Sequence, residues 1–222
     1  NGADLTLSSN VDVNDTFTLT SGTINGATFG FTIDGTTTIT AGTFNSGTGA
    51  HTFTGQVTMN GGTVDIQSDD PDADFTITTG WTNNAGSAIT YTNATGITAN
   101  IVPEITTYED LTINGNTSTF DATIDVTVNN DLTVSAGTLD LNTQDITVAG
   151  TLTVSGGTLN ASNAAAVIDA NDVVITSGTL SAPAEAGFTV EGSWQQTAGT
   201  ITTNGRTVTF DTTGRKRERR ET

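Results

Sequence analysis

The chain has no cysteine among its 222 residues, only three prolines, and aromatic side chains at 6% of positions. Without cysteine there is no disulfide framework and no thiol chemistry. No apolar run approaches the 18 residues that a membrane-spanning helix needs, so no insertion into a membrane is expected. Cationic side chains are scarce as well, six Lys and Arg in all. Five of the six (Arg215, Lys216, Arg217, Arg219 and Arg220) fall in the last eight positions beside Glu218 and Glu221, which leaves 22 acids against Arg206 alone in residues 1–214, a net of −21. A polyanion of this kind lacks the positive face that nucleic acid or an anionic lipid surface requires, and neither is expected as a partner. The start at Asn1 reads as a processed or excised segment.

What the chain does have is one phrase, repeated. Leu152-Thr-Val-Ser-Gly-Gly-Thr-Leu-Asn160 returns as Phe17-Thr-Leu-Thr-Ser-Gly-Thr-Ile-Asn25, Val57-Thr-Met-Asn-Gly-Gly-Thr-Val-Asp65, Leu132-Thr-Val-Ser-Ala-Gly-Thr-Leu-Asp140 and Val173-Val-Ile-Thr-Ser-Gly-Thr-Leu-Ser181. The Gly before the Thr recurs mostly every 20 or 21 residues. Inside each repeat apolar residues alternate with Thr at the strand period of two, and Gly, Asn or Asp marks three breaks. A unit this short cannot bury its apolar side alone and must stack on its neighbours. The expected fold is therefore all-β: a parallel β-helix, roughly triangular, of nine to ten coils, and its 20- to 21-residue coils with unequal sides favour the right-handed form. Val154 is expected to sit in an inward stack where Asp could not be tolerated.

A longer repeat lies above the coil. Phe75-Thr-Ile-Thr-Thr-Gly-Trp81 and Phe188-Thr-Val-Glu-Gly-Ser-Trp194 stand 113 residues apart, and Asp4-Leu-Thr-Leu7 matches Asp110-Leu-Thr-Ile113. The chain divides into a module over residues 1–106, a second continuous with it over residues 107–214, and a basic tail, residues 215–222. Trp81 and Trp194 are expected in equivalent places, and residues 99–106 in a loop between the modules.

The run Thr107-Tyr-Glu-Asp-Leu-Thr-Ile-Asn114, the Leu-Thr-Val-Ser-Ala-Gly-Thr-Leu-Asp-Leu phrase, and Gly192-Ser-Trp194 with Thr207-Val-Thr-Phe-Asp211 resemble the β-strand repeats of large bacterial surface proteins. These are similar to filamentous-haemagglutinin and autotransporter-adhesin solenoids. The resemblance covers residues 1–214 and implies an extracellular, cell-surface structural or adhesive role, with cell-surface glycans or matrix components as partners and no catalytic residues. The cationic tail departs from that pattern.

Three features invite chemistry. A β-helix enzyme acting on acidic polysaccharide needs cations or a metal cluster in its groove; the body offers Arg206 and His51, and no pair of acids stands out for glycoside hydrolysis, so no enzymatic activity is expected. Asp70, Asp72 and Asp74 alternate like the opening of a Ca²⁺ loop, although the Gly and the distal Glu of an EF-hand are missing; a solvated acidic corner is the competing reading. Outward pairs on the middle strands, Thr18/Thr20, Thr38/Thr40, Thr58/Asn60, Thr112/Asn114, Thr133/Ser135 and Thr153/Ser155, resemble an ice-binding face. Thr is also what any outward strand position favours, and Val174 and Gln195 interrupt the rank.

The chain's two ends copy its internal module boundary, Arg206-Thr-Val-Thr209 standing for Gly96-Ile-Thr-Ala99. The expectation is head-to-tail self-association into a fibre through Asp4, Leu5, Thr6 and Leu7 at one end and Thr207, Val208, Thr209 and Phe210 at the other. The basic tail (Arg215, Lys216, Arg217, Arg219, Arg220) reads by default as a disordered solvated end, and otherwise as a processing-site remnant or as an arm lying against the next acidic body.

Overall fold

A computed structural model describes residues 3–93, 96–163 and 165–211. The chain forms parallel stacked coils, a β-solenoid of about ten turns with almost no helix. Each coil of the N-terminal half has a leading, a middle and a closing strand. The leading strands Val11–Val13, Phe31–Ile33, His51–Phe53 and Phe75–Ile77 make one wall, and the middle strands Phe17–Leu19, Thr37–Ile39, Val57–Met59 and Trp81–Asn83 a second. The closing strands Leu5–Thr6, Thr23–Asn25, Thr43–Asn45, Gly62–Ile66 and Ser87–Tyr91 make the third. Three-residue strands suffice because each places two side chains inward or two outward, and the ladder comes from the coils above and below.

The closing corner shows why the phrase carries Gly. Gly22, Gly42 and Gly62 have φ of 86°, 88° and 72°, and a Cβ at Gly42 would lie 2.4 Å from the Gly22 carbonyl oxygen. Both the left-handed backbone and the neighbouring coil forbid a side chain there.

One apolar line runs through the whole rod. Ile24, Phe44, Val64, Ile89, Leu111, Leu132, Leu152, Val173 and Trp194 are successive ladder partners, all buried except Trp194 at the far end. Because the line passes unbroken from Ile89 to Leu111, the core continues across the boundary between the two modules.

The phase of the phrase does not continue. After Ser87–Tyr91 the chain inserts Thr98–Asn100 and Thr107–Tyr108 before Asp110–Asp121 begins. Residues 110–113, which read as a middle strand, therefore stack on a closing strand, in the register Ala88↔Asp110, Ile89↔Leu111, Thr90↔Thr112 and Tyr91↔Ile113. From there on every part of the repeat lies one wall further round. Trp81 pairs with Val57 on the second wall, whereas Trp194 pairs with Val173 on the third, so the two tryptophans are not in equivalent places. Of the segment read as a loop, Ala99 and Asn100 belong to the first inserted strand, while residues 101–106 do form a loop between the two inserted strands, with Ile101, Val102 and Ile105 buried.

Polar side chains close the two interrupted walls at this boundary. Asn83 Nδ2 donates to the Thr107 carbonyl at 2.8 Å, Asn100 Nδ2 to Asp72 at 3.1 Å, and Asn93 Nδ2 to the carbonyls of Gln67 and Ser68 at 3.1 and 3.0 Å. Inside, Tyr91 and Tyr108 bring their hydroxyls to 3.3 Å, and the Val102 N–H donates to Tyr91 at 3.1 Å. Burial pushes the Tyr91 phenol up to about 12 and raises Tyr108 as well, so both stay neutral donors and acceptors.

Candidate assembly faces

The two ends of the rod differ from its body in one respect. The exposed large hydrophobic side chains among the described residues are Leu5 and Phe210, each 53% exposed, one at either end. Beside Leu5 lie the half-buried Val11, Val13 and Phe17; beside Phe210 lie the half-buried Trp194, Ile201 and Val208. The same inward positions one coil deeper are sealed, as at Ile33 and Val190, both 0% exposed. Each end thus presents the inside of a coil, apolar side chains surrounded by strand edges, with no helix over it among the described residues.

Of the residues expected at the joint, Leu5, Thr6, Val208, Thr209 and Phe210 are in strands at these ends, and Asp4 is exposed beside them. Leu7 is buried, its N–H donating to the Asn25 carbonyl at 2.9 Å, so it belongs to the first coil's own core. Thr207 is exposed and precedes the last strand. Arg215, Lys216, Arg217, Arg219 and Arg220 lie outside the described residues.

The three aspartates take another form than the alternating loop. Asp70 is the N-cap of a one-turn helix, Pro71–Asp74, accepting from the Ala73 N–H at 3.4 Å. Asp74 accepts from Ser68 Oγ, and Asp72 from Asn100. An i, i+2, i+4 spacing gathers side chains on one face of a strand, but in a helical turn it carries the middle one to the opposite side. Among the described residues no three His, Cys, Asp or Glu side chains gather into a group able to hold a metal ion. Asp72 ties the corner to the module boundary through Asn100, and Asp70 and Asp74 brace the corner itself.

His51 is wholly buried between Phe44 and Phe75, with ring centroids at 5.2 and 5.1 Å. Its Nε2 lies 3.0 Å from the Ser46 carbonyl, while Nδ1 is buried without a hydrogen-bond partner. Desolvation drives its pKa down to about 4, outweighing the pull of the Ser46 carbonyl and of Asp74. It faces no solvent and no groove, so it is a neutral core residue.

The outward Thr ranks are split by the phase shift. Thr18, Thr38 and Thr58 stand on the second wall, and Thr112, Thr133 and Thr153 on the third. An uninterrupted rank exists elsewhere, on the wall that the inserted strand Thr98–Asn100 shares with the closing strands of the C-terminal half: Thr98, Thr119, Thr138, Thr158, Thr179 and Thr200 are ladder partners in order. Beside it runs Asn100, Asp121, Asp140, Asn160, Ser181 and Thr202. Burial, with the neighbouring Asp140, raises the pKa of Asp121.

Acids also build corners. Asp110 accepts the Asp131 N–H at 3.1 Å, Asp131 the Thr151 N–H at 2.7 Å, Asp125 the Asp145 N–H at 2.9 Å, Asp145 the Val167 N–H at 2.8 Å and Asp172 the Ser193 N–H at 2.6 Å. Each reaches one coil toward the C-terminus. Much of the negative charge therefore has a structural task that composition alone did not reveal. An open depression is lined by Thr147, Val148, Ala149, Asp169, Asn171 and Glu191, with no Lys, Arg or His among them.

No protein-family model, curated protein or solved structure matches the chain.

Proposed function

We propose that this chain is a non-enzymatic, extracellular structural or adhesive β-solenoid whose copies stack end to end into a fibre. The observation that carries the reading is the placement of uncovered apolar surface: Leu5 and Phe210 at opposite ends, with half-buried Val11, Val13, Phe17, Trp194, Ile201 and Val208 around them. Stacking a second coil on each end removes that surface from water and pairs the free strand edges. Two different ends that meet head to tail make an open filament where the contact does not close on itself. The acidic body keeps rods from associating side by side while leaving the ends free to meet. Glycans or matrix components of a cell surface are the partners such a fibre would meet, along its Thr-, Asn- and Asp-bearing walls.

Electron microscopy of the purified 222-residue chain tests this directly. Ten coils at a strand spacing of ~4.8 Å give a protomer about 50 Å long. Filaments with an axial repeat of that length support the reading. Dispersed single rods at every salt and protein concentration overturn it.

A further inference from the structure

The module boundary is a worked example of how one end of this solenoid receives another. There, Ala88-Ile-Thr-Tyr91 accepts Asp110-Leu-Thr-Ile113 as its next coil, and both inward residues of the central pair, Ile89 and Leu111, are sealed from solvent. The chain's ends carry similar sequences: the last closing strand, Thr200–Thr202, shares Ile-Thr with residues 89–90, and Asp4-Leu-Thr-Leu7, around the first strand Leu5–Thr6, shares Asp-Leu-Thr with residues 110–112. Ile201 holds the place of Ile89, because Leu180↔Ile201 repeats Val64↔Ile89. Leu5 holds the place of Leu111, because Leu5↔Ile24 repeats Leu111↔Leu132.

We infer that two copies join in one fixed register and phase, with Ile201 of one copy against Leu5 of the next and Thr202 against Thr6. The inference rests on the end-to-end reading above and adds to it which strands meet. The adjoining wall agrees. At the boundary the strand after the closing one, Thr98–Asn100, receives residues 119–121; at the end of the chain Val208–Phe210 holds that position, and Val11–Val13 is the counterpart of residues 119–121. Val208 then meets Val11 and Phe210 meets Val13, four inward residues that are all at least partly exposed in the single rod. A slip of one residue would turn Leu5 outward and bring Thr against Ile201, so the register is set by the same alternation that sets it inside the chain. On the remaining wall the boundary uses Thr107–Tyr108, for which the described ends hold no counterpart.

The phase follows from the same pairing. Thr200–Thr202 is a closing strand, and Leu5–Thr6 lies on the wall of the N-terminal closing strands, so the joint brings like walls together. The internal boundary, by contrast, moves the repeat one wall round. Each protomer therefore turns the pattern by one wall and each joint leaves it unchanged. Apart from the twist of the solenoid itself, the pattern returns after three copies.

Cysteine pairs test this cleanly, because the chain has no cysteine of its own. Thr6 and Thr202 point outward, and neighbouring parallel strands hold Cα atoms ~4.8 Å apart, within the range a disulfide spans. The Thr6→Cys/Thr202→Cys variant, assembled and then mildly oxidised, should give a ladder of covalent multimers on a denaturing gel. The Thr6→Cys/Thr209→Cys variant, which would bridge a joint turned by one wall, should stay monomeric. A ladder from the second pair, or from both, overturns the fixed phase. Filaments by microscopy with no ladder from the first pair overturn the register and leave the end-to-end reading standing. Dispersed rods from the unsubstituted chain and both variants overturn the two together.

Discussion

The N-terminal and C-terminal halves of the rod speak one phrase and hold together differently. In the N-terminal half the strands are short and lie in separate walls, and the core is aromatic: Phe31, Phe44, His51, Phe53, Phe75 and Trp81 touch in a continuous chain of ring contacts between 5.1 and 6.5 Å. In the C-terminal half there is no aromatic residue between Phe120 and Phe188. Its strands are long enough to run through the corners, as in Ile146–Asn160 and Ile168–Ser181, and join all sides into one sheet. Rings fill the interior of the first half with few, large side chains; Leu, Ile, Val and Ala fill that of the second with many small ones, and carboxylates complete its corners. A 20-residue coil thus needs only its alternation and its corners, and the filling can vary as long as each layer matches the next.

The largest effect is expected where the aliphatic core is deepest. Val154→Asp places an unpaired charge between Val134 and Ile175, all three 0% exposed, and should cost about 4 kcal/mol or more, or abolish folding. Val13→Asp, at the half-buried end of the other half, should leave a denaturant midpoint close to that of the unsubstituted rod. Equal losses would mean that the end is as tightly packed as the middle.

Acid should divide the halves next. His51 is the one histidine of the chain, and its pKa is lowered from 6.5 to about 4 in the folded state. Between those values the unfolded chain binds the proton and the folded one does not, so this residue's contribution is complete above pH 6.5 and is lost progressively down to pH 4. The drop should reach about 3 kcal/mol. His51→Phe, which completes a column with Phe31 and Phe75, should flatten stability over that window when melts of the two proteins are compared pH by pH. An unchanged slope would mean that His51 titrates normally.

At the boundary between the halves, Tyr91→Phe strands the buried Val102 N–H and should cost about 1–3 kcal/mol by chemical denaturation, whereas Tyr108→Phe, which spares that bond, should cost less. The smallest effect belongs to a single corner. Asp131→Ala removes the acceptor of the Thr151 N–H for about 1 kcal/mol, and Asp131→Asn should restore most of it. If Asn behaves like Ala, the charge and not the bond is what the corner uses.

The walls, the corners and the inward residues were all legible, because a period of two and a recurrent Gly with positive φ are local properties. The one-wall shift was not. Thr98-Ala-Asn100 offers one small inward residue, Ala99 against Phe120, and Thr107-Tyr108 offers only Tyr108, so neither resembles the phrase, and their strand character comes from the coils that flank them. The helical turn has a local signal of its own: Asp70 before Pro71, with two more acids behind, is an N-cap, a proline at the first helical position and a negative first turn. Alternate spacing pointed instead to ligands in an extended loop. The half-buried ring of apolar side chains at each end was visible as sequence copies, but only the coils show that those copies lie uncovered.

The corner carboxylates give the rod an arrow. Asp110, Asp125, Asp131, Asp145 and Asp172 each wait for an N–H that the chain delivers about 20 residues later, and the ladder partners stand at the same separation. Folding can then advance as a series of short closures of equal length, each completed coil serving as the template for the next, with no step that must wait for a distant part of the chain. A chain delivered N-terminus first would find its template already in place at every step. By the same token the two ends of the rod are chemically unlike, one offering Leu5 and Val13 and the other Ile201 and Phe210, so in the fibre proposed above elongation at the two tips should proceed at different rates.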